Sequence, residues 1–60
     1  MSGRDFGAAR SLVDDASRTL AQADMLLGVP DADLRHVERL LLDALNLTLH
    51  ALGLLRGRPA

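Results

Sequence analysis

The sequence of 60 residues contains no cysteine, lysine, tryptophan or tyrosine, and its only aromatic residue is Phe6. Without cysteine no disulfide can form, and a structural zinc site would depend on histidine and carboxylate ligands alone, which is uncommon. The core of a chain this short rarely supplies more than about 3–5 kcal/mol unless a covalent link, a metal or another chain contributes. Association with another chain is therefore the expected source of additional stability.

The charges are nearly balanced, with seven arginines against eight acidic residues and a net charge of −1. This balance gives no general attraction to nucleic acid or to anionic lipid. The opening residues MSGRDF place charges where a signal peptide needs an apolar core, which predicts a cytoplasmic chain. The segment from Val37 to Leu55 could cross a bilayer by length, but its three charged residues would each cost about 2.5–3.5 kcal/mol near the centre. No membrane contact is predicted.

Apolar residues in the first half recur at alternating spacings of three and four, which predicts an amphipathic helix over about residues 6–27. This stripe consists of Phe6, Ala9, Val13, Ala16, Leu20, Ala23 and Leu27. On the opposite side, Arg10, Asp14 and Arg18 follow one another at i, i+4, a spacing that allows helical ion pairs of about 0.2–0.5 kcal/mol each.

A turn is predicted over residues 28–31, because Gly28 can adopt the left-handed conformation that closes a helix and Pro30 cannot continue it. Val29 is expected to fold back onto the last helical turn. Asp31 is then the expected cap of a second helix over about residues 32–56, which Gly57 ends. So short a connection predicts an antiparallel helical hairpin.

The second helix carries more leucine than one neighbour can cover, since nine of the seventeen residues from Arg39 to Leu55 are leucine. Its apolar arc spans roughly 220°, whereas contact with one helix needs about 100°. Leaving four leucines in water would forgo roughly 6–12 kcal/mol, similar to the stability of a small domain. We therefore expect two hairpins to form a homodimeric four-helix bundle. The predicted dimer or partner interface comprises Val37, Leu41, Leu42, Ala44, Leu45, Thr48, Leu49, Leu52 and Leu55.

The chain resembles the Rop family of plasmid-copy-number regulators, in which a helical hairpin dimerises into a four-helix bundle. The resemblance rests on chain length, the position of the Asp31-Ala32-Asp33 turn, and core layers that alternate small and large residues. It covers nearly the whole chain and implies an all-α four-helix bundle. The length of the chain by itself predicts one domain over residues 1–60, and residues 1–4 and 58–60 are expected to fray. Rop-type proteins bind paired RNA loops through lysine, polar and aromatic side chains of their first helices. The corresponding face here, from Arg10 to Gln22, has no lysine, so we assign no RNA-binding residues from the resemblance.

The sequence shows no pattern typical of an enzyme or a cofactor site. His36, Asp43 and His50 recur every seventh residue, but this spacing separates them by about 10.5 Å each along a helix, too far to share one ion. An Arg39–Asp43 ion pair on a solvated strip is the simpler interpretation.

Arginines gather near the two chain ends, while Asp24, Asp31 and Asp33 gather near the turn. The candidate contacts for an anion or nucleic acid are Arg4, Arg10, Arg56 and Arg58. We predict a small non-enzymatic protein that binds or regulates another protein, inhibiting it or serving as an adaptor. A Rop-like regulator that binds nucleic acid through arginine is the alternative.

Overall fold

The computed structural model describes residues 6–57, which form two α-helices, α1 over Phe6–Leu27 and α2 over Leu34–Arg56. The helices pack against each other, which confirms the predicted all-α hairpin. Arg4 and Arg58, and the ends expected to fray, lie outside the described residues. Neither helix in this part of the chain combines the length and the apolarity needed to span a bilayer.

The end of α1 differs from the expected left-handed closure. Within residues 6–57 only Gly57 has a positive φ, so Gly28 does not adopt the left-handed conformation. Instead, the backbone N–H of Gly28 donates to Met25 O at 3.1 Å, and that of Val29 donates to Leu26 O at 3.0 Å. These i→i−3 bonds tighten the last turn and satisfy carbonyls that lack helical partners. Val29 remains half exposed.

The cap of α2 is Asp33, two residues later than the predicted Asp31. Asp33 has an extended backbone with φ −76° and ψ 103°, and its Oδ1 accepts from the backbone N–H of Arg35 at 3.0 Å. Residues 28–33 therefore form the connection, and α2 begins at Leu34 rather than at residue 32. At its other end Gly57, with φ 70°, donates to Gly53 O and Leu54 O, which confirms the predicted stop.

The space between the helices is filled mainly by small side chains. Of the seven buried apolar residues, the two larger than alanine are Val37 and Leu40, which are 3% and 8% exposed. The others are Ala9, Ala16, Ala23, Ala44 and Ala51. Alanine allows the two backbones to approach closely, but it removes little apolar area from water. The hairpin core is thin for a chain in which 48% of residues are hydrophobic.

The register of the hairpin follows from the contact of Ala23 with Val37 and Leu40, against which Leu26 also packs. Since the helices run in opposite directions, each step toward the N-terminus on α1 is matched by a step toward the C-terminus on α2. Ala16 therefore lies level with Ala44, and Ala9 with Ala51.

Candidate functional site

Each helix carries large apolar side chains beside the row that it buries against the other helix. On α1 the exposed row recurs every seventh residue, and the side chains are 47–59% exposed. It consists of Phe6, Val13, Leu20 and Leu27. On α2 the corresponding exposed leucines are Leu34, Leu41, Leu45, Leu52 and Leu55. The nine residues of these two rows are called the apolar face below.

Both rows lie on the same side of the hairpin. On α1, the exposed row is reached by turning about 50° from the buried alanines in the direction of increasing residue number. On α2, the same rotation leads from Val37 and Ala44 to Leu41 and its neighbours. Both helices are right-handed but run in opposite directions. Seen from one end of the hairpin, increasing residue number therefore turns clockwise on one helix and anticlockwise on the other, so equal rotations bring the two rows to the same side.

Two shallow surface depressions agree with this arrangement. Leu27 and Leu34 line one of them together with the turn, which places the two rows side by side at that end. The other is lined by Gln22, Met25, Leu26 and His36. Residues of both helices thus also meet on the opposite side, where Gln22 and His36 lie beside two apolar residues.

The apolar face is built in layers across the two helices. The register places Phe6 level with Leu55, Leu20 with Leu41, and Leu27 with Leu34. In the remaining layer Val13 lies level with Thr48, whose hydroxyl donates to Ala44 O at 2.8 Å. Because this bond satisfies the hydroxyl donor within the helix, Thr48 interrupts the face without an unpaired N–H or O–H.

The predicted interface residues separate into three groups in the structure. Val37 and Ala44 are buried by α1, so they lie beneath the face. Thr48 and four leucines (Leu41, Leu45, Leu52 and Leu55) are exposed on its α2 side. Leu42 and Leu49, which are 60% and 55% exposed, lie farther round α2. We call this pair the outer edge of α2, because it points away from α1.

The seam that α1 covers had not been distinguished from the sequence. Leu40 is buried, and Leu47 and Leu54 are partly buried beside it, although the interface prediction centred on their neighbours. On α1, Leu12 and Leu26 are also partly buried, outside the predicted stripe. Ala9 and Leu12 begin a second set of apolar residues on α1 that are spaced by three and four. This spacing is the signal that would have identified the residues buried between the helices.

The polar strip of α2, which contains His36, Arg39, Asp43 and His50, shows neither a metal site nor an ion pair, the two arrangements considered from the sequence. Within residues 6–57, no three histidine, aspartate or glutamate side chains are grouped closely enough to hold a metal ion. Arg39 and Asp43 do not form an ion pair; in this part of the chain the pair that forms is Arg18 Nη2 with Asp14 Oδ2, at 2.9 Å. Both partners are largely exposed, so this pair contributes at most a few tenths of a kcal/mol.

The two candidate anion contacts within the described range are both exposed. Arg56 occupies the last turn of α2, where a cation complements the helix dipole, and Arg10 lies near the start of α1. The register brings these positions to the same end of the hairpin.

Comparison with protein-family models, with curated proteins and with solved structures finds no match to this chain.

Proposed function

We propose that the protein is a small non-enzymatic binding or regulatory protein that acts as a homodimeric four-helix bundle. The observation that carries this proposal is the position of the apolar face. Nine large side chains, each exposed by 40–65%, project from one side of a hairpin whose core consists mainly of alanine. The proposed function therefore depends on which molecule covers the apolar face.

The energetic argument favours a second copy of the chain. Fully burying a side chain of this size is worth about 1.5–3 kcal/mol, so covering the exposed half of nine of them yields roughly 7–14 kcal/mol per subunit. A dimer gains this twice, whereas association costs about 4–15 kcal/mol. An isologous dimer also matches each face to an identical one, so layers of alanine and leucine from four helices can form a single core.

A regulatory role needs a surface that stays accessible after dimerisation. Leu42 and Leu49 supply one, since the outer edge of α2 points away from α1 and lies beyond the centre of the apolar face. Two leucines one heptad apart on a helix are suitable anchors for a larger protein with an apolar groove.

Sedimentation equilibrium over a dilution series tests the proposal. We expect twice the chain mass at micromolar concentration. Leu20→Gln combined with Leu41→Gln, which lie level at the middle of the face, should raise the dimer dissociation constant more than 100-fold, because four half-buried leucines are lost per dimer. Met25→Gln is the matched control, since Met25 is 74% exposed outside the face.

Three further outcomes are informative. Replacing both Leu42 and Leu49 by glutamine should leave the dimer intact, because neither side chain belongs to the face. A stably folded monomer at millimolar concentration would overturn the homodimer. A chain that is monomeric and becomes helical only with a different protein would assign the face to that protein instead.

A further inference from the structure

The outer edge of α2 continues into arginine in both directions. Arg35, Leu42, Leu49 and Arg56 follow one another at intervals of seven residues, and all four are exposed. Positions seven residues apart drift by only about 20° around a helix, so these side chains form one row along α2. The row has two leucines at its centre and a cation at each end.

The residues beside this row add positive charge. Arg39 is exposed on the side of the row that is turned away from the apolar face. Of the two acidic residues of α2, Glu38 borders the row on its other side and Asp43 lies on the polar strip. Three arginines and one glutamate give a local charge of +2, although the whole chain has a net charge of −1.

Interactions within the hairpin do not account for these arginines. In residues 6–57 the ion pair that forms is Arg18 with Asp14, so Arg35, Arg39 and Arg56 have no carboxylate partner there. Arg56 complements the negative end of the α2 dipole, but Arg35 lies in the first turn, at the positive end, where a cation is disfavoured. The position of Arg35 therefore points to a contact outside the hairpin.

The surface at one end of the row has a shape that suits a neighbouring helix. Four residues spaced i, i+3, i+4 and i+7 outline a hole that receives one side chain of another helix. Here they are Leu49, Leu52, Gly53 and Arg56. A Cβ built at Gly53 would have no atom within 4 Å outside its own helix backbone. This corner of the hole is open, so the hole can receive a large apolar side chain.

We infer that the outer edge of α2 binds an acidic amphipathic helix of a partner protein. This inference rests on the proposed function, in which the outer edge stays accessible after dimerisation, and it specifies the chemistry of the partner. Leu42 and Leu49 insert between apolar side chains of that helix, in the hollows of its surface. Carboxylates near its two ends pair with Arg35 and Arg56. The row is about 32 Å long, so the partner helix spans about 22 residues.

The spacing of the cations favours a helix over a nucleic acid. Arg35 and Arg56 lie at opposite ends of the row, with two leucines between them. Phosphates follow one another closely along a strand, so a nucleic acid would place charged groups against Leu42 and Leu49. An acidic amphipathic helix instead removes both leucines from water and pairs the arginines at the same time.

A designed peptide tests the inference on the full chain. The probe is a synthetic helix of about 22 residues, with two central leucines one heptad apart, glutamates one heptad beyond them and a terminal tryptophan. The chain has neither tryptophan nor tyrosine, so the anisotropy of the tryptophan emission reports the peptide alone. We expect micromolar binding at low salt. The same peptide with lysine in place of glutamate should bind about 10- to 100-fold more weakly, and equal binding of the two would overturn the inference.

Reversing the charge at the ends of the row should reverse this preference. Arg35→Glu combined with Arg56→Glu should weaken binding of the acidic peptide about 10- to 100-fold and tighten binding of the lysine peptide. Arg35→Glu alone should weaken the acidic peptide in the same direction, and it places an acid where the helix dipole favours one, so unfolding of α2 cannot be the cause. Arg18→Glu is the matched control, because it makes the same change in charge on α1. An effect of equal size in the control would overturn the inference.

Replacing the leucines tests the apolar part of the contact. Leu42→Gln combined with Leu49→Gln should weaken binding of the acidic peptide at least about 20-fold, because two exposed leucines no longer gain from burial. Met25→Gln is the control, since Met25 is an exposed apolar residue of α1. Tighter binding of a structured RNA than of the peptide, with the leucine replacement affecting neither, would assign the arginines to phosphate and overturn the inference.

Sedimentation with and without the acidic peptide separates this inference from the proposed function. A dimer that gains two peptides supports both, whereas a dimer that gains none overturns the inference alone. If the peptide splits the dimer, it occupies the apolar face, and the inference is again overturned. A chain that is monomeric without the peptide overturns the homodimer, and the leucine and arginine variants then still decide whether the outer edge binds the peptide.

Discussion

Ala23 of α1 packs beside Val37 of α2, and the two residues are 1% and 3% exposed. This contact fixes how far one helix is shifted along the other, and so determines which side chains share a layer. It also explains why the face is apolar as a whole, since Leu20 and Leu27 lie on either side of Ala23 and are level with Leu41 and Leu34. The surface proposed for association is a direct consequence of the inner packing.

The close approach of the helices at Ala16 predicts that a larger side chain cannot be accommodated there. Ala16→Leu should destabilise the folded protein by about 1–3 kcal/mol, because the added methyl groups meet α2 at the level of Ala44. Ala21→Leu is the matched control, since Ala21 is exposed on α1 and leucine is a good helix former. Urea unfolding at a fixed chain concentration measures both. Equal effects would mean that the helices are farther apart than the structure shows.

The capping contact of Asp33 predicts a difference between two neighbouring aspartates. Asp33→Ala should lower the free energy of unfolding by about 0.5–2 kcal/mol, because the first turn of α2 loses its hydrogen bond to Arg35 N. Asp31→Ala removes the same charge without removing the cap, so thermal unfolding should show a smaller change. A larger effect at Asp31 would indicate that Asp31 caps α2, as expected from the sequence.

The two glycines near the end of α2 should respond in opposite directions to alanine. Gly57→Ala should destabilise by about 1–2 kcal/mol, because the φ of 70° is left-handed and a Cβ opposes it. Gly53 lies in the helix, and a Cβ built there would have no atom within 4 Å outside its own helix backbone. Gly53→Ala should therefore stabilise by about 0.5–1 kcal/mol. Circular dichroism melts at equal concentration compare the pair, and a stabilising Gly57→Ala would contradict the left-handed cap.

Thr48 offers a test of the face that leaves its shape unchanged. Thr48→Val replaces the hydroxyl, now bonded to Ala44 O, with a methyl group of similar size. If the face is covered by another subunit, this change should lower the dimer dissociation constant several-fold, because more apolar surface is removed from water. Thr19→Val is the control, since Thr19 makes the same type of bond to Asp15 O but lies outside the apolar face. Sedimentation at several concentrations distinguishes tighter association from higher hairpin stability.

The sequence by itself determined the helices and their approximate limits. The spacing of apolar residues in each half gave α1 with its observed bounds and the end of α2 at Arg56, because the 3.6-residue period and the punctuation at Pro30 and Gly57 act locally. The excess of leucine on α2 was also visible as composition. Local preference did not identify the residue that caps α2. Asp31 and Asp33 are chemically equivalent caps, and only the path of the chain through the connection selects one of them.

Tertiary structure alone decided which apolar rows the hairpin buries. Ala9, Ala16 and Ala23 belong to one stripe with Val13 and Leu20, and periodicity cannot show that α2 covers the alanines and leaves the larger residues in water. The same holds for Leu40, which is buried between neighbours that are exposed. The choice follows from close packing of two backbones through alanine and from the opposite rotation of antiparallel helices, which together place every remaining large side chain of both rows on one face.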